Sequence, residues 1–112
     1  MYKEVFRDRV EYRNEFGDLH SYDDKPAVEY KNGDCFWYKN GNFHRDNGLP
    51  AVVRGNGTKQ WWINGSRTRE DGPAIEWSNG AFTWALDSIV YESEEKFREV
   101  LLSKKLKRLK NL

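Results

Sequence analysis

Disulfide-forming cysteine pairs, long apolar runs and any strong excess of charge are all missing from this chain. Its one cysteine, Cys35, excludes an intramolecular disulfide and suits a reducing cytosol. No apolar run approaches the ~18 residues of a membrane-spanning helix. Met1-Tyr2-Lys3-Glu4 opens with charge and no apolar core follows, so no signal peptide is expected and the cytoplasm is the expected location. Nineteen Lys and Arg stand against 18 Asp and Glu, a formal net charge of +1. That balance argues against a DNA mimic and against a strongly nucleic-acid-binding domain, where neutralised phosphates supply much of the affinity. The sign is uneven along the chain. Lys104, Lys105, Lys107, Arg108 and Lys110 crowd the C-terminal end, and the remainder is acidic.

What the chain does have is aromatic residues. Trp 5, Tyr 6 and Phe 6 make up 15% of 112 residues, and each ring can bury a large area. The length fits one domain, 1–112, with a modest core. Its organising stretch is Asn40-Gly41-Asn42-Phe43-His44-Arg45-Asp46-Asn47-Gly48-Leu49-Pro50-Ala51-Val52. It recurs, altered, from Asn64 to Ile75, and a worn copy runs from Gly17 to Val28. The prolines at 26, 50 and 73 and the tryptophans at 37, 61 and 84 share steps of 24 and 23. A period of this size predicts one supersecondary unit stacked on copies of itself.

The unit reads as a β-hairpin. Val5–Arg7 and Val10–Arg13 are the first strand candidates, followed by a turn at Gly17. Pro26–Lys31 and Asp34–Lys39 are strands around Asn32-Gly33, and Asn-Gly stands between alternating segments again at 40, 56, 64 and 79. Taken as two-residue type I′ turns, these dipeptides pair Tyr30 with Cys35, Val28 with Trp37, Val52 with Trp61 and Ile75 with Trp84. Cross-strand pairs of this kind contribute roughly 0.2–1 kcal/mol each. The turn at 40 pairs Tyr38 with Phe43 and Trp37 with His44; the turn at 64 pairs Trp62 with Arg67 and Trp61 with Thr68. Two strands per repeat are expected, the second bending at Asp-Gly-Pro.

One face then holds Val28, Trp37, His44, Val52, Trp61, Ile75, Trp77, Phe82, Trp84 and Tyr91 as the core. Alternation puts Ala27, Glu29, Phe36, Tyr38, Phe43, Arg45, Ala51, Val53, Gln60, Trp62, Arg67, Arg69, Glu76 and Thr83 on a second, mixed and mostly polar face. Hairpin repeats should fill 11–92. Asp87-Ser88 replaces Asn-Gly and leaves a terminal strand. A helix over 93–110 follows, N-capped by Ser93 with Glu94 and Glu95 in its first turn, and is expected to pack on the Trp37/Trp61/Trp84 face. The fold class expected is mainly β, an antiparallel hairpin meander with one C-terminal helix.

The spacing resembles the MORN repeat, and more closely its divergent variant abundant in bacteriophage and giant-virus genomes. That variant reads roughly Asn-Gly-x-x-His-Arg-x-Asp-Gly-Pro-Ala-Val, then an aromatic, Asn-Gly and Trp-Trp or Trp-Tyr. This chain matches from about Glu11 to Leu86. Ser21 stands for the Arg in the first copy, Thr68 for the His in the third, and Leu49 is inserted before Pro50. The resemblance implies an antiparallel hairpin array and a small phage-type accessory protein; related sequences include antitoxin components. It implies little chemistry, because the family is defined by fold.

The residues point the same way. His20 and His44 are repeat equivalents, so a cross-strand structural role accounts for them better than catalysis. Two histidines and one cysteine on different hairpins do not make the three or four ligands of a metal site. No Ser-His-Asp arrangement, phosphate loop or zinc spacing is present. No catalytic residue, metal or cofactor is expected, and Cys35 reads as a buried, inert thiol. The second face is unusual for its aromatics. Tyr38, Phe43, Arg45, Trp62, Arg67 and Arg69 are the candidate binding residues, of the types that dominate interfaces. The expected function is non-enzymatic binding of a host protein, modulating or inhibiting it. Single-stranded nucleic-acid binding through stacked rings beside arginines is the alternative, an antitoxin-like or scaffold role another, and self-association through the same face a further possibility.

Overall fold

A computed structural model describes residues 1–111. The chain begins with β1 (Tyr2–Val5) and β2 (Arg9–Arg13), then β3 (Val28–Tyr30) and β4 (Cys35–Phe36). A small hairpin follows, β5 (Tyr38–Lys39) with β6 (Asn42–Phe43). The pattern repeats as β7 (Val52–Val53), β8 (Lys59–Gln60), β9 (Trp62–Ile63) and β10 (Ser66–Arg67). Strands β11 (Ile75–Glu76), β12 (Phe82–Leu86) and β13 (Ile89–Tyr91) end the sheet before helix α1 (Glu94–Lys110). Nine strands form one antiparallel sheet in the order β1-β2-β3-β4-β7-β8-β11-β12-β13, and β5-β6 and β9-β10 stand apart as two-stranded sheets. The expected class, mainly antiparallel β in a meander with one C-terminal helix, is the class observed. The first strand lies at Tyr2–Val5 rather than Val5–Arg7, because Phe6 N–H bonds Arg9 O at 2.8 Å and closes a turn there.

The preference for two long strands per repeat is corrected. The first two returning strands break at Trp37 and Trp61, so Cys35–Phe36 stays in the main sheet while Tyr38–Lys39 leaves it; the third, β12, runs unbroken through Trp84. The small hairpins still stack on one another. Gly41 N–H reaches Leu19 O, Gly65 N–H reaches Phe43 O and Ser88 N–H reaches Arg67 O, all at 2.8–2.9 Å.

The same dipeptide makes two different turns, and this corrects the register. At Asn40-Gly41 and Asn64-Gly65 both residues have positive φ (47° and 86°, 47° and 82°), the type I′ pattern. Tyr38 accordingly faces Phe43, and Trp62 faces Arg67. At 32, 56 and 79 only the glycine is left-handed, at φ 97°, 96° and 88°. The preceding Asn instead accepts from the N–H two residues on, Asp34, Thr58 and Ala81 respectively, at 2.9 Å. That side-chain bond makes an Asx-type turn, and with the bulged glycine the loop gains a third residue. Val28 therefore faces Phe36, Val52 faces Gln60 and Ile75 faces Thr83, not the three tryptophans. Cys35 faces Glu29 and Val53, not Tyr30.

A one-residue slip exchanges faces, and the burial follows. Opposed residues in a ladder share a face, so Val28, Phe36, Val52, Gln60 and Ile75 form one row across the sheet. Ala27, Ala51 and Ala74, two of them assigned to the polar face, are each 0% exposed. They sit where the strands bend, accepting or donating the bonds that flank each tryptophan, such as Trp37 N to Ala51 O at 2.7 Å. Trp77 and Phe82, expected in the core, are 43% and 58% exposed. Trp77 lies in the last Asx-type turn, and Phe82 faces Glu76 on the side away from Ile75.

Trp37 and Trp61 are buried by the repeat motif itself. The Arg45 guanidinium lies 3.9 Å from the Trp37 ring and Arg69 lies 3.7 Å from Trp61. Each arginine also donates to a proline carbonyl, Pro50 and Pro73, at 3.1 Å. The indole N–H groups are satisfied by Asp24 O (3.0 Å) and Gly48 O (2.9 Å). Helix α1 meets this face at its Trp84 end, where Phe97 and Leu101 pack with Leu86 against Trp84, Tyr91 and Val100. Phe97 stacks 5.0 Å from Trp84, and Arg98 sits 5.7 Å from that ring in place of a further repeat's arginine. Ser93 caps the helix by accepting from Lys96 N–H at 3.1 Å.

Candidate functional site

The two type I′ hairpins bring four of the six candidate residues together. Tyr38 and Phe43 have ring centroids 4.6 Å apart, and Phe43 lies 5.3 Å from Trp62. Arg67 covers the far side of Trp62 at 4.9 Å. The Gly65-to-Phe43 bond and a 3.4 Å bond from Arg45 N–H to Trp62 O hold the hairpins side by side. Because the chain bends at Trp37, the main-sheet ring Phe36 also reaches Phe43, at 6.1 Å, and Tyr30 lies 5.9 Å beyond Phe36. The result is a stripe of five half-buried aromatic rings, from Tyr30 to Trp62, with Arg9 5.8 Å from Tyr30, Arg54 5.7 Å from Phe36 and Arg67 at the Trp62 end.

Polar atoms on the stripe are partly satisfied. The Trp62 indole donates to Gln60 Oε1 at 3.0 Å. Arg67 Nε is buried and, among the described residues, has no hydrogen-bond partner. Burial, with lesser effects of Tyr30 and Glu11, pushes the Tyr38 phenol above its ordinary value, so it stays a neutral donor and acceptor.

Arg45 and Arg69 lie elsewhere. Both are engaged against the tryptophans, and Arg45 also pairs with Asp24 at 3.0 Å and Arg69 with Glu76 at 3.3 Å. Their separation from the stripe follows from the bend: simple alternation does not carry through the His-Arg segment. Phe36, Tyr30 and Arg54 belong to the stripe too: alternation puts Phe36 on the second face, outside the candidate binding residues, and does not connect Tyr30 and Arg54 with it.

The histidines are committed to structure. His20 Nδ1 accepts from Asn40 N–H and His44 Nδ1 from Asn64 N–H, both at 2.9 Å. His44 must then carry its proton on Nε2, which donates to Asp46 Oδ1 at 2.8 Å; that bond holds the Asp46 carboxyl below its ordinary range. Among the described residues neither ring hydrogen-bonds a hydroxyl or a thiol. Cys35 is half-buried, and desolvation, then Glu29 and Asp34, pushes its thiol up, away from the reactive thiolate. Among the described residues no group of three His, Cys, Asp or Glu side chains is placed to hold a metal ion, and no helix is long and apolar enough to cross a membrane. Comparison with protein-family models, curated proteins and solved structures gave no match.

Proposed function

We propose that this chain is a non-enzymatic β-repeat binding protein, a divergent MORN-type array of the phage accessory kind, that grips a partner protein through the stripe centred on Tyr38, Phe43, Trp62 and Arg67. The observation that carries the reading is the continuity of that stripe. Tyr30, Phe36, Phe43 and Trp62 touch in one line with Tyr38 against Phe43, each ring partly open to solvent, and Arg9 and Arg67 stand at its two ends. Rigid aromatic surface flanked by arginine is what interface hot spots are made of. The contacts that recur 24 residues apart, such as Arg45 on Trp37 and Arg69 on Trp61, favour the MORN-type reading. Arg45 and Arg69 are ion-paired away from the stripe, and of the three arginines beside its rings Arg9 is held by Asp8 and Glu11 and Arg54 by Asp34, while Arg67 makes no ion pair among the described residues. That is thin cover for a phosphate backbone, so protein binding is preferred to single-stranded nucleic acid.

The test uses Arg67→Glu, which reverses the charge at the stripe with little loss of packing, and the double variant Tyr38→Ala/Trp62→Ala checked for folding by circular dichroism. Partner capture from a host lysate and binding of single-stranded DNA and RNA at physiological salt are measured for each. Capture lost in both variants supports the reading. Loss of nucleic-acid binding instead moves the assignment to the alternative, and unchanged behaviour in both assays removes the stripe as a site.

A further inference from the structure

Asn-Gly occurs a sixth time, at Asn47-Gly48, inside the segment between His44-Arg45 and Pro50. Asparagine followed by glycine is open to a self-reaction in which the glycine amide nitrogen attacks the Asn side-chain carbonyl. The Cγ–Nδ2 bond breaks, ammonia leaves and a five-membered succinimide remains. Water then opens the ring on either side, leaving aspartate or an isoaspartate whose backbone runs through the side chain. Water is the only co-reactant. Glycine matters because it leaves the attacking nitrogen unshielded and the backbone free to close the ring.

In the five hairpin turns that nitrogen is occupied. Gly33, Gly57 and Gly80 donate to Tyr30 O, Arg54 O and Trp77 O at 2.9–3.0 Å, and Gly41 and Gly65 donate across hairpins to Leu19 O and Phe43 O at 2.9 Å. Attack at these sites first requires the turn to open. In three of them the Asn oxygen is also held, as acceptor of the Asx-type bond. Exposure does not separate the sites, since all six asparagines are solvent-exposed. The amide of Gly48 does: among the described residues it has no hydrogen-bond partner. Both residues of this pair are exposed and left-handed, at φ 64° and 70°.

The geometry points to Asn47 as a built-in site of spontaneous deamidation and isomerisation, reacting ahead of the five hairpin asparagines. Its product acts on the middle repeat. Gly48 O is the acceptor for the Trp61 indole N–H at 2.9 Å, and Leu49 N–H bonds back to Asp46 O at 3.4 Å. An isoaspartate at 47 adds one backbone methylene between these anchors and a negative charge next to Asp46. The change is irreversible without repair, so it times the age of the folded molecule.

The experiment incubates the full chain at mildly alkaline pH, natively and in concentrated urea, and maps each Asn-Gly peptide over time for the acid-for-amide mass gain and for isoaspartate. In the native sample Asn47 should convert about tenfold faster than any hairpin asparagine, because those must open locally first. In urea the six rates should converge. The aged native protein should also melt at lower temperature than fresh protein, and Asn47→Gln should remove the fast phase. A hairpin asparagine converting as fast as Asn47 in the native chain overturns the proposal. So does an Asn47 preference that persists in urea, which would assign the selectivity to local sequence and not to the fold.

Discussion

Trp61 and Trp62 are neighbours in sequence with opposite surroundings, and they separate packing from contact surface. Trp61 is 7% exposed, with Arg69 on its ring and its indole N–H on Gly48 O. Trp61→Ala should cost about 3–5 kcal/mol, the range for emptying a large aromatic site, whereas Trp62→Ala, at a half-buried stripe position, should cost clearly less; thermal melts of the two decide it. Glu11 makes the acid-limb prediction. Its carboxyl is buried, which alone would raise its pKa, but bonds from Arg9 (2.6 Å) and Arg13 (2.8 Å) outweigh burial and hold it below the ordinary value. A carboxyl depressed in the folded state stabilises above its unfolded pKa, and that stability is lost as pH falls through the folded one. Denaturation midpoints should therefore drop on acidification, and Glu11→Gln should flatten that drop while lowering stability at neutral pH. The same fall in the Glu11→Gln protein would remove Glu11 from the explanation.

At the level of hairpins and helix, the sequence was legible wherever turn chemistry admits one answer. Asn40-Gly41 and Asn64-Gly65 gave Tyr38–Phe43 and Trp62–Arg67 correctly, because a two-residue loop fixes its register. The other Asn-Gly turns were misread since an Asn side chain that bonds the N–H two residues on switches the loop to three residues, and no composition signal marks the difference. The bends at Trp37 and Trp61 were equally hidden: they go with Arg45 and Arg69 reaching the Pro50 and Pro73 carbonyls, a contact across an irregular loop. Alternation therefore placed these arginines on the stripe, and structure places them behind it. The helix was read correctly from Ser93 and the acidic first turn. Phe97 is 0% exposed, so Phe97→Ala should cost about 3–5 kcal/mol, while Leu106→Ser, at 50% exposure, should leave the melt nearly unchanged. Asp87-Ser88 offers a gain. Both residues are left-handed, at φ 49° and 70°, and Ser88→Gly should stabilise by about 0.5–1 kcal/mol by removing that strain. A melt that does not rise would show that Ser88 carries a compensating contact.

The whole molecule is a slab of 48 × 37 × 18 Å, and the cluster of buried apolar side chains found among the described residues, Leu86, Phe97 and Leu101, lies at its helix end. Burial is otherwise local, repeated at each tryptophan and closed at one end by α1. The anchors of the middle repeat stay within one unit's length of chain: His44 Nδ1 and Asn64 N–H are 20 residues apart, Arg45 and Pro50 five, Trp61 and Gly48 thirteen. The chain can therefore be lengthened like a word with a doubled syllable. Inserting a second copy of residues 44–67 between Arg67 and Thr68 leaves the β1–β2 pair and the helix with their present neighbours and gives the new unit both of its own. In a nearest-neighbour array each added interface raises total stability, so the lengthened protein should melt higher than the parent; a lower or split transition would mean that the present copies have each become specific to their place.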